Sequence, residues 1–210
     1  MTLKKGALYL LGSIYENRVY RIYRINIAQY HQPQDLNGNH VTFKCLDKND
    51  DDAIKQIVDM EEWLEDQITP NLAAGNTLCV AALHGKIVVG FNLLAFEKVY
   101  VPLINRTITL RNGTAWSEQI TILRAYRKQG LGTALRHHVF EELKKRGIKK
   151  LYGATLVHNK ASLKLASKTG FKFLADIHYI KLFGAKKWIR DRRNYENHRA
   201  DIGSVVTLEP

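Results

Sequence analysis

Arg127-Lys128-Gln129-Gly130-Leu131-Gly132-Thr133 reads R-x-x-G-x-G. It lies between an apolar run, Gln119 to Leu123, and a helix-patterned run, Leu131 to Arg146. Glycines at a strand-to-helix turn remove the side chains that would hold an anion off the backbone. The amides of a helix's first turn lack intrahelical acceptors and sit at the positive end of its dipole, so they favour phosphate. Arg127 and Lys128 add formal positive charge. The chemistry this predicts is a pyrophosphate cradle. An ordinary glycine turn uses the same residue types, and the loop alone does not separate the two. Glu118 stands just before the apolar run, and strand alternation would place it on one face with Ile120 and Ile122. A carboxyl group among apolar neighbours has a raised pKa, which suits a general base near neutrality. The competing reading is an ion pair with Arg111 or Arg106.

Spacing excludes two other phosphate loops. A Walker loop needs Gly-Lys-Ser/Thr, and here Thr133 follows Gly132 directly. A dinucleotide fingerprint needs a small residue where Leu135 stands, and no acidic residue closes a second strand downstream. A second motif follows. Leu151 to Leu156 reads as a strand, and Asn159-Lys160-Ala161-Ser162 opens a helix with Asn159 as N-cap. Gly170 ends that helix and Phe171 begins an alternating strand.

Together, in this order, the two motifs resemble those of the GNAT superfamily of N-acetyltransferases. The resemblance covers about residues 41 to 183. It implies an α/β fold with a mixed central sheet of about six to seven strands and helices on both faces. It also implies acetyl-CoA as cosubstrate, and attack of a primary amine on the thioester in a ternary complex. The pantetheine arm would pair with the backbone of Ile120, Thr121 and Ile122. Arg127, Lys128, Gln129, Gly130, Leu131, Gly132 and Thr133 would hold the pyrophosphate, with Asn159 and Ser162 touching the coenzyme. Glu118 is the candidate base. Relatives carry a tyrosine acid four residues before the Gly-Phe pair, where this chain has Ala166. Either no acid is required or another hydroxyl, that of Tyr179, Tyr152 or Ser162, supplies it, and Tyr179 is the candidate retained. That missing tyrosine also supports an alternative, a GNAT-fold coenzyme-binding module with little turnover. The acceptor expected is an amino sugar or nucleotide-linked amino sugar, with a protein N-terminus as the alternative.

The remaining elements must position these groups. Residues 3 to 27 repeat Leu8, Leu11, Tyr15, Val19 and Ile22 at spacings of three and four, which predicts an amphipathic helix. Such a helix packs on the domain or a second copy, or lies on an anionic membrane surface. A linker over 28–39 follows. The acetyltransferase domain is expected at 40–184 and a solvated basic tail at 185–210. Strands are expected at 41–46, 77–83 and 87–96, and a helix from the Asp47–Asp52 run through Gln67. Residues 97–114 read as a loop with a short strand near 106–110. His158 and His178 could titrate near neutrality, and His137 and His138 read as surface and packing positions.

With 32 basic and 20 acidic residues the chain carries +12, which favours anionic partners such as phosphates; nucleic acid is the weaker reading. Cys45 and Cys79 read as buried free thiols in a reducing, cytoplasmic setting. No Cys/His cluster has ligand spacing along the sequence, so no metal is expected. No apolar run is long enough to span a bilayer.

Overall fold

The structure is a computed structural model that describes residues 15–30, 41–101, 106–182 and 185–190. Its first element corrects the sequence reading. Tyr15–Asn26 is a β-strand, β1, rather than part of a helix. The strand lies inside the sheet, between two others, so both of its faces are covered. Tyr20 and Ile22 enter one core cluster, and Tyr23 and Ile25 enter another on the opposite face. A strand apolar on both faces loses period-two alternation, and its spacings then imitate a helix. Its Tyr, Val and Ile content is nevertheless strand-like. Leu8 and Leu11 lie outside the described residues. The membrane-surface role rested on this helix and loses its basis over 15–26.

The other strands are β2 (Thr42–Leu46), β3 (Thr77–His84), β4 (Ile87–Ala95), β5 (Lys98–Val101), β6 (Arg106–Thr109), β7 (Thr114–Ile122), β8 (Lys150–Leu156), β9 (Lys172–Leu182) and β10 (Ala185–Arg190). Eight form one sheet in the order β10-β9-β1-β8-β7-β4-β3-β2, and β5 and β6 form a separate hairpin. Only β7 and β8 pair in parallel; the other neighbours are antiparallel. β10 takes up the start of the expected tail, pairing Lys186 with Lys181 and Trp188 with Tyr179.

The helices are α1 (Asp51–Met60), α2 (Ile68–Ala73), α3 (Leu131–Lys145) and α4 (Lys160–Lys168). The expected continuous helix to Gln67 breaks at Glu61, whose φ of −144° and ψ of 78° are not helical. A single 3-10 turn, Glu62–Leu64, separates α1 from α2. α3 covers one face of the sheet through Leu135, Val139, Phe140 and Leu143, which cluster with Leu78, Val80 and Leu94. The other face carries α1 and α2 over Cys79, Phe91 and Leu93. Farther along that face, Val99 and Ile108 of the β5–β6 hairpin cover Tyr20, Trp116 and Tyr152. Among the described residues no helix is long and apolar enough to cross a membrane.

Tyr20 is fully buried in the middle of this sheet. Tyr20→Ala is expected to cost about 3–5 kcal/mol in urea unfolding, the range of large core truncations. A surface helix would lose well under half of that.

Candidate active site

A cleft opens where two parallel strands stop pairing. β7 and β8 are in register from Thr114↔Lys150 to Ser117↔Gly153. Beyond that, β7 pairs only with β4 through Ile122, and β8 pairs only with β1 through Leu156. No strand pairs the facing backbone edges of Glu118–Ile122 and Ala154–Leu156. The opening lies at the carboxyl ends of both strands, where α/β folds commonly bind ligands. Ile120, Thr121 and Ile122, expected on the pantetheine arm, form its wall.

The strand leads into the 127–133 loop. A 3-10 turn, Arg124–Tyr126, joins β7 to the start of α3. The Arg127 Nε donates to the Ile122 carbonyl at 2.8 Å, which fixes its cation beside the strand end. Lys128 has φ of +64°, a conformation that costs a lysine about 1 kcal/mol or more and that tends to persist at functional sites. Gly130 is the α3 N-cap at φ +82°, and its carbonyl accepts the first helical bonds, from Thr133 and Ala134. The preceding amides, Leu131 and Gly132, have no intrahelical acceptor. Gly132 is informative in another way. A Cβ there would meet Leu165 at 3.6 Å and Ile122 at 3.8 Å, ordinary contacts. Protein packing does not demand this glycine, which costs a helix about 1 kcal/mol against alanine. An anion lying on the backbone does explain it, and the residues present fit the pyrophosphate of a coenzyme.

Glu118 is placed differently from expectation. The β4–β7 register passes from Leu94↔Ser117 to Leu93↔Gln119, so Glu118 is the extra residue of a β-bulge. Ser117 points towards α3, where its Oγ meets Arg136, and Ile120 and Ile122 pack on the α3 side. Glu118 lies on the opposite face, in a small open pocket with Leu64, Ile68 and Leu93. The bulge breaks the alternation that would have grouped it with Ile120 and Ile122, a common way to re-aim a side chain at a site. Burial pushes its carboxyl up to about 7. Among the described residues it forms no ion pair, so the competing pairing with Arg111 is not made; the side chain of Arg106 lies outside them.

The same face holds a group that the sequence reading missed. The Glu61 carboxylate accepts from Gln119 Nε2 and Thr121 Oγ1, both at 2.8 Å, and from Trp63 Nε1 at 3.3 Å. Trp63, Gln67, Asn71 and Thr77 line the Glu118 cleft. The helix break at Glu61 therefore places a carboxylate beside the free edge of β7. Glu62, Glu65 and Asp66 on the same segment are exposed.

The other expected residues divide. Asn159 caps α4, accepting from the Ser162 amide at 3.1 Å, at the carboxyl end of β8 beside the cleft. Tyr179 is 6% exposed in the cluster with Tyr20 and Tyr152. It lies on β9, with β8 and β1 between it and β7, about 14 Å across the sheet at strand spacing. The structure does not bring it to Glu118. Ala166 packs in the core with Leu135 and Phe171. His158 is exposed and His178 half-buried. Arg136, unremarked in the sequence, is buried under the base of the cleft, where it donates to Asn92 Oδ1 and Ser117 Oγ at 2.9 Å each. Arg136→Ala is expected to lower unfolding free energy by about 2–4 kcal/mol, since it strands two buried polar partners. Denaturant titration reads this directly.

The geometry agrees with comparisons to known proteins. Several solved acetyltransferase folds are similar. One is a GCN5-related N-acetyltransferase from Sphaerobacter thermophilus, at TM-score 0.57 and 16% identity. The match covers 89% of this chain, which spans 57% of that one. A GCN5-related N-acetyltransferase-like protein from Streptococcus suis matches at TM-score 0.55 and 17% identity, covering 85% of this chain and 66% of that one. An aminoglycoside N-acetyltransferase in complex with CoA matches at TM-score 0.50 and 18% identity, covering 62% and 91% respectively. No curated protein matches. The model of the acetyltransferase (GNAT) family matches residues 43–171, spanning both motifs and the cleft between them, and this chain belongs to that family.

Proposed function

We propose that this protein transfers an acetyl group from acetyl-CoA to a primary amine, with Glu118 as general base. The observation that carries the reading is the unpaired β7 edge, which runs from the 127–133 loop to the bulged Glu118. The loop amides and Arg127 would hold the pyrophosphate. The edge amides and carbonyls of β7 would hold the pantetheine arm and bring the thioester carbonyl beside Glu118. Glu118, ionised above about pH 7, takes a proton from the acceptor ammonium, directly or through water. The freed amine attacks the carbonyl carbon, the C–N bond forms, the C–S bond breaks, and the proton shed by the new amide nitrogen passes to the departing CoA thiolate. A β7 edge amide would stabilise the oxyanion. Positioning supplies much of the remaining rate.

On the acceptor side, the Glu61 carboxylate accepts from Gln119, the residue after Glu118, and Glu62, Glu65 and Asp66 are exposed on the same segment, within a chain of net charge +12. Carboxylates at the acceptor entrance attract cationic amines and repel phosphates. This favours an amino sugar with free amino groups over a nucleotide-linked one. The test is thiol release from acetyl-CoA across amino sugars, their nucleotide conjugates, polyamines and short peptides. Turnover is expected with multiply charged amino sugars or polyamines. Turnover confined to nucleotide conjugates would contradict the acceptor assignment. Coenzyme binding with no turnover on any amine would favour the binding-module alternative.

A further inference from the structure

Away from the cleft, three side chains distant in sequence converge on a donor set that no step of the proposed chemistry uses. Cys45 lies on the edge strand β2, opposite Val80 of β3. His138 and Glu142 lie four residues apart on α3, so they share a helix face. The ligand atoms of Cys45, His138 and Glu142 all lie within 4.8 Å of one another, and each residue is half-buried. One thiol, one imidazole and one carboxylate are a borderline-soft set. They suit a four-coordinate divalent ion with water in the fourth position.

The geometry needs little adjustment. Zn–S and Zn–N bonds of about 2.3 and 2.1 Å put neighbouring ligand atoms roughly 3.5 Å apart. The Phe43 ring stacks on His138 at 5.2 Å, and so orients the imidazole. Lys145 Nζ holds one Glu142 oxygen at 2.6 Å. The other charged groups acting on the cluster are Glu141 and Arg146. A thiolate and a carboxylate together balance a divalent charge.

We propose that Cys45, His138 and Glu142 form a binding site for a zinc-like divalent transition-metal ion. The ion would clip edge strand β2 to α3, the helix whose N-terminus forms the phosphate loop. The site lies on the sheet face opposite Glu118. β2 is also separated from β7 by β3 and β4, about 14 Å, so the ion has no part in acetyl transfer. Sequence spacing hid it, because Cys45 belongs to a different element from the helical pair.

Cobalt(II) titration of the full chain tests this. Co(II) bound by a thiolate gives a near-ultraviolet charge-transfer band that His and carboxylate ligands alone do not. The expected result is one equivalent bound with that band. Cys45→Ser would abolish it, and His138→Gln and Glu142→Gln would each weaken binding at least about tenfold. Cys79→Ser is the control. Cys79 is fully buried on the other face and should leave the band unchanged. Zinc should raise the melting temperature of wild type and not that of His138→Gln. Saturating Co(II) without a charge-transfer band would overturn the proposal, and so would affinity unchanged by His138→Gln. The histidine and glutamate variants keep the test valid should Cys45→Ser fail to fold.

Discussion

Glu118→Gln is expected to lower kcat by about 10²–10³-fold while making the protein more stable above pH 7. Gln keeps the size and one acceptor oxygen, so coenzyme affinity should change little. The gain in stability follows from the raised pKa. Burial alone lifts Glu118 to about 7 from 4.5. The folded state therefore favours its neutral form. Stability from this group is fully present below about pH 4.5 and is lost as pH rises to about 7. Above that, wild type carries the whole desolvation cost, about 2 kcal/mol after discounting for residual solvent contact. Gln removes it. Urea unfolding at pH 8 should show the variant more stable, with the gap narrowing towards pH 5. Loss of activity together with gain of stability marks a functional group held at thermodynamic cost. A Glu118 held by a stabilising ion pair would show the opposite sign in stability.

The second large effect belongs to Gly130. At φ +82° its backbone is in the left-handed region. No heavy atom lies within 4 Å of the point a Cβ would occupy, so backbone strain is the only obstacle to a side chain. Gly130→Val costs about 2 kcal/mol in that conformation, more than an unbranched residue would. If the loop relaxes instead, the amides of Leu131 and Gly132 turn away from the phosphate. The first route lowers folding stability; the second makes binding restore the strained loop, which should weaken coenzyme affinity by up to roughly thirty-fold, read by calorimetry. Gly147 is a matched control. It has φ +70° and equally open surroundings, at the far end of α3. Gly147→Val should cost similar stability and leave coenzyme affinity unchanged. Equal losses in both variants would mean that the 127–133 loop is not the cradle.

The turn at 127–133 and α4 were legible in sequence because both depend on local chemistry. Gly130 supplies a left-handed cap, and Asn159 accepts from the Ser162 amide three residues on. Such signals survive without tertiary context. β1 did not, because Tyr20, Ile22, Tyr23 and Ile25 are buried on alternate faces and leave no polar side to reveal the period. The bulge at Glu118 was equally hidden. It arises from pairing with β4, and it reverses the face that simple alternation assigns. Glu61 and Arg136 reach the cleft from elements 58 and 19 residues from their partners Gln119 and Ser117. Helix patterning also ran α1 too far, since Leu64 is buried, yet through a 3-10 turn beyond the break at Glu61. Capping and turn chemistry are read locally, whereas register, bulges and long-range carboxylates belong to the assembled sheet.

The role of Glu118 is tested most sharply by the pH dependence of kcat/KM for acetyl transfer in wild type and in Glu118→Gln. With Glu118 as base, wild-type activity rises with pH through an inflection near 7 and then levels off, as the carboxylate forms. The variant keeps only a small residual rate with no inflection there. The same inflection in both proteins would assign the base to another group and contradict the mechanism proposed for this cleft.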